Sequence, residues 1–283
     1  MSSGMVINTN ISSINAQRQL TETNSALSTS MERLSSGLRV NSAKDDAAGL
    51  AIADRMTSQI RGMTVATRNA SDGISMAQTA EAAMGEMTNT MQRMRDLAVQ
   101  SANDGAVSTG DREKLQAEFN QLNDELSRII HNTEFNGKKI VNGSLSGGVA
   151  IQVGANTTAD NQISVEVDDM SGVLSGTGVT AASIGSDAGP AGALAAVASI
   201  DLAIESIDTS RAKLGAIQNR FVTTISNLQS SVENQSAARS RIIDADFAAE
   251  TAALSRSQIL QQAGTAMLSQ ANQRPQAVLQ LLQ

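Results

Sequence analysis

The sequence predicts a mainly α fold: a long antiparallel, coiled-coil-like helical rod formed by the N- and C-terminal halves, with a small β-hairpin region in the middle of the chain. Three observations predict it. Apolar and small residues recur at alternating spacings of three and four over long runs on both sides of the centre. The composition is 41% hydrophobic but only 1% aromatic, which suits thin layers of helices better than a thick core. Strict alternation of apolar residues occurs only in the middle, at Val149, Ile151, Val153 and at Ile163, Val165, Val167.

Taken in order, Ile7, Ile11 and Ile14 open a first amphipathic helix, continued by Leu20, Leu27, Met31, Leu34 and Leu38. Residues 1–4 are small and polar and are expected to be flexible. Arg39 to Ser42 links to a second helix, expected over Ser42–Asn103. Ser42 with Asp45 reads as its capping box, and Asp46 adds a second carboxylate to the first turn. Its stripe runs Ala53, Met56, Ile60, Met63, Ala70, Ile74, Ala77, Met84, Met91 without a proline. At roughly 60 residues it would be about 90 Å long and needs an equally long partner. Gly62, Gly73 and Gly85 each cost about 1 kcal/mol in such a helix, and some are expected to mark close approach of another backbone.

Asn103-Asp104-Gly105 is a turn, and Ser108 with Asp111 caps a helix carrying Leu115, Phe119, Leu122, Leu126 and Ile129 and ending over His131 to Gly137. The hairpin follows over about 138–168, with a further short strand expected at Ile140–Val141. Residues 169–193 read as a Gly/Ser/Thr-rich tip with little to bury. A second long helix from near Pro190 carries Val197, Ile200, Ile204, Ile207, Leu214, Phe221, Ile225, Leu228 and Val232, and is the required partner. A final helix carries Phe247, Leu254, Leu260, Ala263, Met267 and Ala271, with Pro275 expected to kink or end it before an apolar terminus. The domain reading is therefore 1–43 with 240–283 as paired terminal helices at one end, and 44–239 as a helical rod bearing the hairpin and tip.

Catalytic constellations are missing from this pattern. The single His131 sits at a helix end, there are no cysteines, and no HExxH, P-loop, GxGxxG or GxSxG occurs. Asp45-Asp46 is explained by capping and the Met stripe by core packing. No enzyme activity, metal or cofactor is expected. A net charge of −7 and the lack of aromatics argue against nucleic acid. No run of about 18 apolar residues is read in the chain, so no membrane span is expected. Met1 to Asn15 lacks the basic start and apolar core of a secretory signal. What remains is an apolar seam on the terminal helices that a monomer does not fully cover: Ile7, Ile11, Ile14, Leu20, Leu27, Leu34, Phe247, Leu254, Leu260, Met267 and Leu281. Head-to-tail, non-closing contacts among many copies would satisfy it.

At several strings the chain resembles bacterial flagellin. These are Ile7-Asn8-Thr9-Asn10, Ser13 to Arg18, Arg33 to Leu50, Thr133 to Lys139, Ser240 to Glu250 and Gln270 to Gln273. The resemblance covers nearly the whole length. It implies a filament subunit with an inner tube built from the terminal helices, outside the cell, exported unfolded through the flagellar type III apparatus without a cleaved signal. It implies an export chaperone at the C-terminal helix, hook-associated and cap proteins as partners, and a short form without large outer domains. Ser171, Thr177, Thr180 and Ser183 of the tip are candidates for O-linked glycans. Gln92 to Gln100 resembles the stretch that Toll-like receptor 5 reads in flagellins; this implies receptor contacts from Gln92, Arg93, Leu97 and Gln100, with Glu118 from the next helix. A hook–filament junction protein and a chemoreceptor-like coiled coil are the competing readings; the first should have a larger centre, the second a membrane span or a longer hairpin of helices.

Overall fold

The computed structural model describes the backbone of residues 9–281 and the side chains of residues 9–273. The fold is mainly α with two small antiparallel strand pairs. Its elements are α1 (Ile11–Ser36), α2 (Ala47–Ser101), α3 (Thr109–Asn132), β1 (Glu134–Phe135), β2 (Lys138–Lys139), β3 (Val149–Gln152), β4 (Gln162–Val165), α4 (Met170–Thr177), α5 (Gly189–Ile243) and α6 (Phe247–Leu281). The chain divides into two compact units, Met1–Ser58 with Asn234–Gln283, and Gln59–Glu233. The breaks fall inside α2 and α5, so each long helix contributes to both.

The larger unit holds the hydrophobic core. There α2 and α5 run antiparallel: Arg95 meets Asp201 at 2.7 Å, Gln218 donates to Glu81 at 2.8 Å, and Met63 and Ala66 pack with Leu228. The buried stripe of α2 is Met63, Ala66, Ala70, Ala77, Ala80, Met84, Met87, Met91, Met94 and Ala98, each position three, four or seven from the last. That of α5 is Ala193, Ala196, Ile200, Ala203, Ile207, Ser210, Leu214, Phe221 and Leu228, in the same rhythm. Gly73 occupies the α2 stripe, where a Cβ would sit 2.7 Å from Ile151 Cδ1 and 2.8 Å from Phe221 Cζ. At Gly62 a Cβ would meet the Cβ of Ala155 at 2.8 Å and its Cα at 3.2 Å, whereas Gly85 has open space. Another backbone thus comes close at Gly62, whereas at Gly73 the close neighbours are side chains.

Helix α3 starts as its capping box requires. Ser108 Oγ accepts from the Asp111 amide at 3.2 Å and donates to its carboxylate at 2.7 Å. Phe119, Leu126 and Ile130 face the core. The β3–β4 hairpin forms at the expected place, with Ile151 opposite Ile163, and Asn69 of α2 donates to the Gln152 carbonyl at 3.0 Å.

Several expectations need correction. The second helix begins at Ala47, not Ser42: Ser42 and Asp45 make a closed turn before it, and Asp46 is the true cap, its Oδ1 accepting from the Gly49 amide at 2.8 Å. The short strand expected at Ile140–Val141 lies one step earlier. There β1 and β2 pair through Asn136 and Gly137, with φ of 49° and 75°, the left-handed pair that a two-residue hairpin turn needs. Ile140 and Val141 are instead core residues, both 0% exposed.

Residues 169–193 are no bare tip. Asp169 caps α4, Gly178 ends it with φ 79°, and Met170, Leu174, Val179 and Ile184 are buried. Ser101 Oγ donates to the Ile184 carbonyl at 2.5 Å, and the Ile184 amide donates to Gln116 at 2.6 Å. Pro275 does not end α6, which continues to Leu281. Helix α5 contains an 18-residue stretch of mean hydropathy 1.4, long and apolar enough by length and composition to cross a membrane. Alanine supplies much of that apolarity, and the buried positions of α5 pack in the core of the larger unit.

Candidate functional site

The terminal unit is built in a different way. Helices α1 and α6 lie antiparallel, as four cross-links place them. Asn10 Nδ2 donates to the Ala271 carbonyl at 2.8 Å, and Ser13 Oγ to Asn272 at 2.8 Å. Gln261 donates to Asn24 at 2.8 Å, and Arg33 stands 3.8 Å from Glu250. Leu20 Cδ1 would lie 3.3 Å from a Cβ on Gly264, so glycine lets that leucine close onto α6. The side chains buried on these two helices are small: Ser13, Thr23, Ser30, Ser257 and Ala271.

The large apolar side chains face outward. Ile11 is 62% exposed, Ile14 55%, Phe247 64%, Leu260 49% and Met267 61%. Leu20, Leu27, Leu34 and Leu254 are half-buried along the pair. Ile7 and the side chain of Leu281 lie outside the described residues, as do residues 1–4. Met31 (58%) and Ile259 (66%) join the exposed face though neither is among the seam residues expected from the sequence. Met31 belongs to the apolar stripe of α1 and was there to be read; Ile259 precedes Leu260 and breaks the heptad rhythm, so no period would find it.

The link between α1 and α2 is zipped by backbone to the link between α5 and α6. Gly37, at φ 72°, ends α1. Its carbonyl accepts from the Ala245 amide at 2.9 Å, and the Arg39 amide donates to Ile243 at 2.6 Å. The Arg39 guanidinium reaches the Ile242 carbonyl. Asp45 accepts from the Ser42 and Asn41 amides at 2.9 and 3.2 Å. Those bonds, the Ser42 backbone first, hold its carboxyl below the usual range. Two long strings of the sequence, Arg33 to Leu50 and Ser240 to Glu250, therefore meet as a junction that sets the start of the helix pair. The arrangement can bind a surface.

A family model described as the bacterial flagellin N-terminal helical region matches residues 7–146, and one for the bacterial flagellin C-terminal helical region matches residues 197–282. The chain belongs to the bacterial flagellin family. That family is one of structural filament subunits, not of enzymes. Flagellin of Bacillus subtilis (strain 168) is 44% identical over 305 residues, covering 98% of this chain and 100% of the relative. Flagellin D of Vibrio anguillarum is 40% identical over 373 residues, covering 98% and 99%. The latter alignment is longer than this 283-residue chain, so that relative carries residues this one lacks. The crystal structure of Bacillus cereus flagellin superposes with a TM-score of 0.49 at 30% identity, covering 61% of this chain and 94% of that one.

The second candidate surface lies on α2 and α3 in the larger unit. Arg93 and Glu118 are brought together, Nη2 to Oε1 at 2.6 Å and Nε to Oε1 at 3.0 Å, with side chains 56% and 44% exposed. Gln92 and Gln100 are exposed on the same helix. Leu97 is not: at 1% exposed it is a core residue beside Met94 and Ala98. Four residues advance a helix by slightly more than one turn, and here that small rotation carries the side chain across the edge of the buried stripe. The direct apolar contact expected of Leu97 is corrected accordingly. On the segment after β4, Thr180 and Ser183 are exposed and Ser171 and Thr177 half-buried. The Thr177 hydroxyl donates to the Val173 carbonyl at 2.9 Å and that of Ser183 to Gln116 at 3.4 Å.

Proposed function

We propose that this chain polymerises into the filament of a bacterial flagellum, outside the cell, with α1 and α6 forming the inner contacts. The observation that carries the proposal is the inverted helix pair: small polar residues inside, and Ile11, Ile14, Met31, Phe247, Ile259, Leu260 and Met267 outside. Fully burying such a side chain is worth roughly 1.5–3 kcal/mol, so half-exposed ones offer about 1 kcal/mol each. Their sum, on the order of 10 kcal/mol, is comparable to the roughly 4–15 kcal/mol cost of fixing one molecule on another. One neighbour leaves little surplus; a helical polymer, where each copy touches several, provides enough. Export through the flagellar type III apparatus, an export chaperone on α6, and hook-associated and cap proteins complete this reading by family resemblance.

Short filament seeds incubated with purified monomer test it. Electron microscopy should show elongation by the full chain and none by residues 1–246, whose larger unit keeps its helices and hairpins by NMR. Elongation by the truncated chain would remove α6 from the assembly surface; failure of the full chain to elongate would remove the filament reading.

A second reading concerns the free monomer. The exposed Arg93–Glu118 pair, flanked by Gln92 and Gln100, supports recognition by Toll-like receptor 5, with Leu97 supporting α2 from inside. For O-linked glycans, Thr180 is the foremost of the four candidates, ahead of Ser183, Ser171 and Thr177. Mass spectrometry of native filaments reads this directly: sugars confined to α1 or α6 peptides would overturn it.

A further inference from the structure

Among the described residues Met56 is half-buried, and the other methionines fall into two populations. Met84, Met87, Met91, Met94 and Met170 are 0% exposed, and Met63 and Met76 are 7% and 9%. Met31 and Met267 are 58% and 61% exposed, on the outward faces of α1 and α6. The antiparallel pairing puts them toward opposite ends of the helix pair, Met31 near the Arg33–Glu250 contact and Met267 near the Leu20–Gly264 contact.

We propose that Met31 and Met267 form a redox-modification site of the unassembled chain, oxidised selectively to sulfoxides by hydrogen peroxide and related two-electron oxidants, and that this oxidation blocks assembly. The sulfur lone pair attacks one peroxide oxygen. The O–O bond breaks, an S=O bond forms, and the displaced hydroxide takes up the proton to leave as water. Sulfur loses two electrons and peroxide gains them. The core methionines need the larger unit to open before an oxidant reaches them, so they react at a rate reduced by the rarity of that opening. The product is a polar, chiral group with a strong hydrogen-bond acceptor. Burying it against a neighbouring apolar face without a donor is unfavourable, whereas burying the thioether is favourable. The assembly half of this inference rests on the proposed filament function; the selectivity half does not.

The experiment treats monomer with hydrogen peroxide and maps sulfoxides by peptide mass spectrometry over time. Met31 and Met267 should oxidise at least roughly tenfold faster than Met84 to Met94. Equal rates across the two populations would overturn the selectivity. Treated monomer is then offered to filament seeds beside untreated monomer and a Met31→Leu/Met267→Leu variant given the same peroxide. Untreated monomer and the treated variant should elongate seeds, and treated wild type should not; methionine sulfoxide reductase should restore it. Normal elongation by treated wild type, or loss of elongation in the treated variant, overturns the block at these two positions. Failure of untreated monomer to elongate sinks the filament reading instead and leaves the oxidation map standing.

Discussion

The larger unit and the terminal unit are made from the same helical grammar and resolve it in opposite senses. In the larger unit, heptad positions on α2 and α5 turn inward and carry Met, Ile, Leu and Phe into a main core and a smaller cluster at Met63, Ala66 and Leu228. In the terminal unit the buried apolar residues among those described are only Val40, Ala53 and Ala271; on α1 and α6 Ser13, Thr23, Ser30 and Ser257 are buried while Leu20, Leu27, Leu34 and Leu254 are half-buried. Small polar residues let two helices approach but supply little transfer free energy. The first unit is thus a folded domain by its own contacts. The second has its strongest apolar surface facing water, and the proposed filament contacts would cover it.

Two phenylalanines test this contrast most sharply. Phe221 is 0% exposed and Phe247 64%. Phe221→Ala should lower monomer stability by about 3–5 kcal/mol through the cavity it leaves. Phe247→Ala should change it by less than about 0.5 kcal/mol. In the seed assay the order reverses at concentrations and temperatures where both variants are folded: Phe247→Ala should elongate poorly, Phe221→Ala nearly normally. Chemical denaturation followed by circular dichroism reads the first pair of numbers. A large stability loss from Phe247→Ala would mean that the terminal pair is itself a packed core.

A smaller effect separates two glycines of α2. Replacing either by alanine gains about 1 kcal/mol of helix propensity. At Gly85 nothing lies within 4 Å of the new Cβ, so Gly85→Ala should be stabilising by about that amount. At Gly73 the Cβ meets Ile151 and Phe221 below 3.0 Å. Overpacking of this kind costs about 1–3 kcal/mol, so Gly73→Ala should be destabilising on balance. Matching shifts of the unfolding midpoint at both sites would show that the hairpin yields where the geometry says it cannot.

These cases also show how far the sequence could be read. The three-four rhythm found both long helices, because period is a property of the chain alone. It could not say which of two neighbouring stripes is buried. Leu97, a surface contact by its spacing from Arg93, is core, since only the position of α3 and α5 decides which side of the stripe is covered. Helix α4 is not legible in the sequence because its eight residues, rich in serine and glycine, have weak local preference; Met170 and Leu174 hold it by tertiary burial. Ser42 with Asp45 has the pattern of a helix cap and makes a closed turn instead, as the two motifs share the same hydrogen bonds. The excess of apolar residues on the terminal helices was legible, but their inside-out arrangement was not.

Acid should act on a specific fastener of the larger unit. Asp168 accepts from the Ser210 hydroxyl and stands 3.1 Å from Lys213 Nζ. The Ser210 bond first, and then Lys213, hold its carboxyl below the ordinary value of 3.8. A carboxyl depressed by folding contributes stability that is complete above its unfolded pKa and is lost as pH falls through the folded value. Unfolding midpoints measured from about pH 5 down to about pH 2 should therefore fall, and Asp168→Asn should remove part of that fall. Asp111 and Glu125 are also depressed, by Ser108 and Arg128 first. An Asp168→Asn variant with an unchanged acid slope would remove Asp168 from this account.

The Arg93–Glu118 pair should matter least to folding. Both side chains are about half exposed, and an exposed ion pair is worth roughly 0.2–1 kcal/mol. Arg93→Ala should thus leave the unfolding midpoint nearly in place. Its effect on a Toll-like receptor 5 reporter should be larger, a loss of about 1–2 kcal/mol of binding or roughly 5- to 30-fold, because arginine at the centre of a polar patch is a frequent anchor. Glu118→Ala should act in the same direction, since it frees and reorients Arg93. Leu97→Ala is the informative contrast. It removes a core side chain, so it should cost about 2–5 kcal/mol of stability, and its receptor response should follow the folded fraction rather than fall on its own account. A Leu97→Ala monomer that is fully folded yet silent would restore Leu97 as a direct contact. Equal responses from wild type, Arg93→Ala and Glu118→Ala would instead make this pair a solvated face that merely joins α2 to α3, leaving the terminal helices as the chain's one interaction surface.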